Sequence, residues 1–214
     1  MTHTRLDWER RARTGLPEVI FAQSKTVSQL RDIIAAHAKR QAPALLTRLT
    51  DDHLRGLRDM PLHFDETART ATLNALAPPA DAPNVGVVTA GTSDMPVAAE
   101  ACAVAAFLGL NQTIYTDLGV AGLWRLQERL DEVRAHPVLI AVAGMEGALF
   151  SVLAGLVEAP VIAVPTSVGY GVSAGGQAAL SSALATCAPG VMTVNIDNGF
   201  GAAAAAAKIL LHTR

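Results

Sequence analysis

Two side chains in this 214-residue chain stand out as able to make and break bonds: Cys187, in LATCAPGV, and Glu146, in AGMEGALFS. A thiolate is the strongest nucleophile available near neutral pH. A free thiol, with a pKa of about 8.5, needs a base or a cation beside it to ionise. Pro189-Gly190 just after Cys187 makes it a loop or helix-end residue. On spacing alone a small buried hydrophobe is the stronger reading of this thiol. It is the clear reading of Cys102, which lies among Ala101, Val104 and Ala105. Glu146 sits in Gly144-Met145-Glu146-Gly147. The helix dipole favours a carboxylate at a helix start, and the flanking glycines leave it room to meet a ligand as a general base. Structural cap and base stay open together.

The third candidate is the loop Gly91-Thr92-Ser93-Asp94. It follows the apolar run of residues 85–90 (VGVVTA) and precedes a helical pattern from Pro96. A run so short and apolar suits a strand buried on both faces of a parallel sheet. Asp94 is a candidate N-cap and Pro96 fits the first helical turn. Free amides at such a helix start attract anions, phosphate above all.

The same logic recurs along the chain. Residues 112–116 run into Asp117-Leu118-Gly119, residues 138–143 into the Glu146 loop, and residues 161–164 into Pro165-Thr166-Ser167-Val168-Gly169-Tyr170-Gly171. Residues 191–196 run into Asp197-Asn198-Gly199. Strands alternating with helices predict a doubly wound, three-layer α/β fold with a parallel sheet. Its loops then share one edge, the carboxyl ends of the strands, where ligands bind. The loop carrying Thr166, Ser167, Gly169, Tyr170 and Ser173 is too long for a minimal connector, and such loops often carry function. Asp197 and Asn198 read as turn residues or as groups that orient a ribose or a metal ion. The Ala-rich stretch 199–211 reads as a closing, tightly packed helix.

The first third predicts a small α/β lobe. Residues 7–13 suggest a short helix, 17–22 a strand, 27–38 an amphipathic helix, 43–49 a strand and 50–59 a helix capped by Thr50 or Asp51. Residues 63–76 suggest one or two strands of an antiparallel or mixed sheet. The segment 77–83 (APPADAP) holds three prolines, which neither a helix nor a central strand tolerates. It separates a lobe of residues 1–79 from a second domain of residues 80–214.

Composition narrows the function. Half the residues are hydrophobic and 17% charged, enough to bury a sizeable core. Aromatic content of 4%, a net charge of −2 and the lack of a basic run argue against nucleic-acid binding. Two cysteines without a paired framework suit a reducing compartment. The polar start MTHTRLDWERRARTG is no secretory signal, and no apolar run reaches the ~20 residues of a membrane helix. The expectation is a cytoplasmic protein with no membrane partner. Six histidines without ligand spacing argue against zinc, and Lys25-Thr26 lacks the glycines of a nucleoside-triphosphate loop.

At Gly91-Thr92-Ser93-Asp94 the chain resembles the aminoimidazole ribonucleotide carboxylase/mutase (PurE) superfamily, where a Gly-Ser-x-Ser-Asp loop holds substrate phosphate. The loop bearing the catalytic histidine of the purine enzymes is not recognisable. The fuller resemblance is to the LarB family, the pyridinium-3,5-biscarboxylic acid mononucleotide synthases of nickel-pincer cofactor assembly. It is carried by RTGLPEVIFAQSKT, VVTAGTSDMPVAAEA, GVAGLWRL, VAGMEGALFSVLAGLV, VIAVPTSVGYGVSAGGQAAL and CAPGVMTVNIDNGFGAA, from Arg13 to the last helix. The resemblance implies an enzyme that takes nicotinic acid adenine dinucleotide (NaAD), carboxylates its pyridinium ring with CO2 or bicarbonate and hydrolyses the phosphoanhydride, releasing AMP. It also implies a PurE-like fold, a homo-octamer and assistance by Mg2+.

In that reaction Cys187 would add to the ring and Glu146 would serve as base. Gly91, Thr92, Ser93 and Asp94 would hold phosphate, with Asp94 a candidate magnesium ligand. Gly144, Thr166, Ser167, Gly169, Tyr170, Asp197 and Asn198 would border the substrate. Two other readings stand beside it: a purine-type carboxylase or mutase, which needs no thiol, and a non-catalytic nucleotide-binding module.

Overall fold

Short β-branched runs separated by Gly- and Pro-rich turns leave little choice but strands joined by helices, and the computed structural model, which describes residues 4–212, has that form. The chain divides into two compact units, Met1–Ala77 and Pro78–Arg214.

The first unit contains α1 (Arg10–Thr14), β1 (Ile20–Phe21), α2 (Val27–Lys39), β2 (Ala44–Thr47), α3 (Asp51–Gly56), β3 (His63–Asp65) and β4 (Thr70–Leu73). The sheet order is β1-β2-β4-β3. β1 runs parallel to β2 and the other pairs are antiparallel, so the sheet is mixed. α2 starts where Thr26 Oγ1 accepts the Gln29 amide at 3.2 Å and Gln29 Oε1 accepts the Thr26 amide at 2.9 Å. This reciprocal cap satisfies two donors that no helix can satisfy internally. Thr50 caps α3 in the same way, with His53 Nδ1 as the returning acceptor. Leu30, Ile33 and Ile34 then pack with Ile20, Leu46 and Leu57 in the core. The strand expected over 17–22 is only two residues long, because only Ile20 and Phe21 pair with β2.

The second unit holds β5 (Asn84–Thr89), α4 (Met95–Phe107), β6 (Asn111–Tyr115), α5 (Leu123–Glu128), α6 (Leu130–Arg134), β7 (Leu139–Ala143), α7 (Ala148–Ala154), β8 (Val161–Pro165), α8 (Gln177–Ala185), β9 (Val191–Thr193) and α9 (Gly199–His212). The five strands are all parallel, in the order β6-β5-β7-β8-β9. This is the flavodoxin-like doubly wound order. Val88, Ala141 and Ala163 face α5 to α8 in one core layer. On the other face α4 and α9 pack together through alanines: Ala202, Ala203, Ala206 and Ala207 are fully buried, as are Ala98, Ala101 and Ala105. Small side chains let the two helices approach closely. The last strand stops short of the expected 191–196 because Asn195 Oδ1 accepts the amide of Ile196 at 2.9 Å, a local turn that competes with sheet pairing. No helix among the described residues is long and apolar enough to cross a membrane.

A buried pair locks one edge of this sheet. Tyr115 Oη and His136 Nε2 lie 2.8 Å apart, and His136 is 6% exposed. Burial lowers the imidazole pKa, against the opposing effect of the Asn84 carbonyl, so the native ring is neutral. Its contribution to stability is complete above the ordinary value near 6.5 and is lost as pH falls through the lowered one. Replacing His136 by Asn removes this titration. The melting temperature of the variant then falls less than that of the wild type between about pH 7 and about pH 5. Equal slopes in the two proteins would exclude His136 as the titrating group.

Candidate functional site

In this strand order the connections from β5 and β7 leave toward opposite faces, and a crevice opens between their carboxyl ends. The loops that follow β5, β7, β8 and β9 meet there. After β5 the chain makes a 3-10 turn, Thr92–Asp94, and enters α4 with Pro96 in its first turn. Thr92 and Ser93 are exposed, and the first amides of the turn have no intrahelical acceptor.

Asp94 behaves differently from its two neighbours. As an N-cap its side chain makes no bond to α4. The carboxylate turns inward instead and is 3% exposed. Oδ1 accepts the Thr166 hydroxyl at 2.7 Å and Oδ2 accepts the Gly91 amide at 2.9 Å. The Gly144 amide donates to the same group. One carboxyl thus ties the loops after β5, β7 and β8. Burial pushes its pKa above the ordinary aspartate value, against those three hydrogen bonds, and the nearby Asp197 pushes it the same way. Asp94, expected to meet phosphate or magnesium, is instead buried in this structure and ties loops together, with a hydrogen-bond donor on each oxygen. Thr166 is likewise corrected: fully buried, with its hydroxyl spent on Asp94, it is a support rather than a ligand group.

The remaining loops are stitched to this centre. Met145 donates its amide to the Val168 carbonyl at 2.8 Å, and Ser167 donates its amide to Asp197 Oδ1 at 2.8 Å. A Cβ on Gly144 would lie 2.7 Å from Thr166 Oγ1, so only glycine lets the two loops close on each other. Gly169 is half-buried, and Tyr170 is 77% exposed at the loop tip. Asn198 does turn and cap work: its Oδ1 accepts the Gly201 amide at 2.9 Å at the start of α9.

Glu146 is not the cap of the helix that follows it. Gly147, not Glu146, is the N-cap of α7, and no side chain caps that helix. Glu146 is exposed and has no hydrogen bond or ion pair among the described residues. Met145 before it is held at φ 53°. The second unit has three such non-glycine residues, Asp117, Met145 and Asp197, and each lies in a loop at the carboxyl edge. Backbone strain of this kind, roughly 1 kcal/mol or more each, gathers where loops are held for function.

Cys187 is the site residue the fold does not bring in. α8 carries the chain from the carboxyl edge back to the amino edge, and Cys187 lies between its end and β9. The Gly190 carbonyl accepts the amide of Val161, the first residue of β8. A five-residue strand is about 16 Å long at ~3.3 Å per residue, so one chain's Cys187 and Glu146 lie at opposite ends of the sheet. Cys187 is also exposed, which overturns its reading as a buried hydrophobe. Its loop is anchored by Thr186 Oγ1, which accepts the Ser151 hydroxyl at 2.7 Å and the Ala188 amide at 3.2 Å.

Sequence reasoning passed over one charged pair at the carboxyl edge. Arg125 Nη1 donates to Asp117 Oδ2 across the loop after β6. The signal was present in GVAGLWRL: an arginine eight residues after a loop aspartate, with no apolar role of its own.

Comparison with known proteins bears on the whole assembly. Residues 1–75 match the model of the LarB/PurE-like N-terminal domain, and residues 84–214 match that of AIR carboxylase. The uncharacterized protein MJ0165 of Methanocaldococcus jannaschii is 38% identical over 208 residues, spanning 92% of this chain and 80% of that protein. The crystal structure of a PurE2 variant from Treponema denticola aligns with a TM-score of 0.47 at 20% identity, over 62% of this chain and 91% of the other. With a LarB-type N-terminal domain joined to an AIR carboxylase domain, this chain belongs to the LarB family of PurE-like, carboxylase-type proteins.

Proposed function

We propose that this protein carboxylates the pyridinium ring of nicotinic acid adenine dinucleotide and hydrolyses the phosphoanhydride, giving pyridinium-3,5-biscarboxylic acid mononucleotide and AMP. The observation that carries the reading is a carboxylate without a partner, Glu146, set across a switch-point crevice from an open helix start at Thr92 and Ser93, in a chain with a LarB-type N-terminal domain.

A pyridinium cation is an electrophile and does not attack CO2. In the proposed scheme the Cys187 thiolate adds to the ring carbon para to nitrogen, forming a C–S bond and converting the ring to a neutral enamine. The enamine carbon next to the addition site attacks CO2 and forms the new C–C bond. Glu146 removes the proton from that carbon. The electron pair returns to the ring as the C–S bond breaks, thiolate leaves and the pyridinium is restored. No net oxidation occurs. Water then cleaves the phosphoanhydride. The substrate's own cation favours thiolate over thiol at the first step.

Because one chain holds the thiol and the base at opposite ends of its sheet, the scheme requires the thiol of a neighbouring copy. A homo-oligomer, the octamer of the family resemblance, supplies it. Magnesium, in this reading, acts on the substrate's phosphates without Asp94, and no step here runs through it. Incubation with NaAD, bicarbonate and Mg2+, followed by mass spectrometry, yields AMP and a mononucleotide heavier by one carboxyl group. Binding of the dinucleotide without these products, or carboxylation of aminoimidazole ribonucleotide instead, overturns the reading.

A further inference from the structure

α7 is apolar but for one residue. It reads ALFSVLA, and Ser151 is the single polar side chain in it. A serine within a helix commonly turns to solvent or bonds back to the preceding turn. Ser151 is half-buried, and its hydroxyl reaches out of the helix instead, donating to Thr186 Oγ1 at 2.7 Å, 35 residues further on.

Thr186 stands where α8 gives way to the loop that carries Cys187. Its backbone leaves the helix at φ −59°, ψ 137°. Leu184 and Ala185, in the last turn of α8, are exposed, so packing holds that turn weakly. On the far side of the thiol the backbone is already determined. Ala188 packs against the core of the second unit. Pro189 fixes its own φ and restricts Ala188 before it to extended conformations. Gly190, at φ 85°, turns its carbonyl to the Val161 amide at 3.0 Å. On the near side a side chain does this work. Besides the Ser151 hydroxyl, Thr186 Oγ1 accepts the Ala188 amide at 3.2 Å. One hydroxyl group therefore joins α7 to both residues that flank Cys187.

We propose that Thr186 is a positioning residue for the Cys187 thiol, with Ser151 as the donor that fixes it. This rests on the covalent scheme above, in which the sulfur must arrive within bonding reach of one ring carbon. A misplacement of about 1 Å at such a contact costs roughly a hundredfold in rate. Thr186 acts on the direction in which an exposed thiol is presented, not on its ionisation. Because α7 starts at the Glu146 loop, one short helix then supports a copy's own base at its start and, from its middle, the thiol lent to a neighbour.

Thr186→Val keeps the shape and removes both acceptor contacts, Ser151→Ala removes the donor alone, and Thr186→Ser keeps the hydroxyl. With NaAD, bicarbonate and Mg2+, kcat for carboxylation falls roughly tenfold or more in the first two variants, while KM for the dinucleotide stays within about twofold. Thr186→Ser retains most of the rate. Alkylation of Cys187 by iodoacetamide, followed across pH by peptide mass spectrometry, keeps the wild-type profile in all three, because a small free reagent finds the thiolate wherever the loop holds it. Amide exchange at Ala188 accelerates by about tenfold in Ser151→Ala, although the amide's own acceptor is still present.

Unchanged kcat in folded Ser151→Ala and Thr186→Val proteins overturns the proposal. So does a fall in kcat matched by a shifted alkylation profile, which would give the hydroxyl a part in ionising the thiol. A raised KM with kcat intact overturns it as well, by making Thr186 a binding group. Wild-type protein that releases no dicarboxylated mononucleotide overturns the proposed reaction instead. Exchange at Ala188 still decides whether Ser151 fixes the loop: acceleration upholds the anchoring, and wild-type protection in Ser151→Ala overturns it.

Discussion

Subunits carrying Cys187→Ala and subunits carrying Glu146→Gln, each inactive alone, regain carboxylation when they are dissociated and reassembled together. The expectation follows from the topology. The thiol lies in the loop before β9 at the amino edge of the sheet, and the carboxylate in the loop after β7 at the carboxyl edge. If each active centre takes its thiol from one copy and its base from another, random mixing leaves about a quarter of the centres with both native groups in a symmetric oligomer. Each variant by itself loses activity by roughly a thousandfold or more, since without nucleophile or base the ring cannot be activated and restored. Product formation by mass spectrometry measures both effects. Mixed oligomers as inactive as their parents would mean that the two groups do not act at one ring. Full carboxylation by Cys187→Ala would remove the covalent step altogether.

Asp94→Ala has the second large effect, and it acts through architecture. The substitution strips acceptors from the Thr166 hydroxyl and from the Gly91 and Gly144 amides at once. Leaving buried donors unpaired costs on the order of 1–3 kcal/mol per group, so a destabilisation of about 3 kcal/mol or more is expected, with loss of dinucleotide binding as the three loops separate.

Asp94→Asn separates charge from shape. The amide offers one acceptor and turns a donor toward another donor, a cost of about 1–3 kcal/mol that does not depend on pH. The wild type has a component that does. Its native carboxyl has a raised pKa, so the native state binds a proton more tightly than the unfolded chain. That contribution is complete below the ordinary value of 3.8 and is lost as pH rises through the raised one. The wild type's advantage over Asp94→Asn is therefore largest at the acid end and narrows as pH climbs. Denaturant melts across that range measure it. A gap that stays constant with pH would show that Asp94 ionises in the native crevice as freely as in solution, and one that widens would show that it ionises more readily there.

The order and kind of elements were legible from residue pattern alone. Residues 85–90, 138–143 and 161–164 are apolar on successive positions because both faces of β5, β7 and β8 are covered, and such runs admit few other placements. Thr26 and Thr50 announced their helices because a cap is a contact between near neighbours. The gathering of the Ser93, Glu146, Thr166 and Asp197 loops also followed, since a parallel sheet turns every strand-to-helix loop toward the same edge. β9 fell short of the expected strand for a reason visible only in three dimensions. At the sheet edge Asn195 is free to bond its own neighbour's amide.

Side-chain direction and partnership lay beyond sequence. Asp94 looked like a cap open to solvent, yet it faces inward, because Thr166, seventy-two residues away, donates a hydroxyl to it. Asn198 read equally as a turn residue or a ligand group, and it caps its own helix. Arg125 is one arginine of an ordinary polar stretch in the sequence, and only the fold pairs it with Asp117. By itself the sequence determined the layers, the shared edge and the chemistry available there, because periodicity and turn residues encode local geometry. Only the tertiary structure decided which groups meet. The placing of Cys187 at the far end of the sheet was implicit in the order of elements, since a loop that follows a helix and precedes a strand opens on the edge opposite to the loops that follow strands; its exposure there is what the fold added.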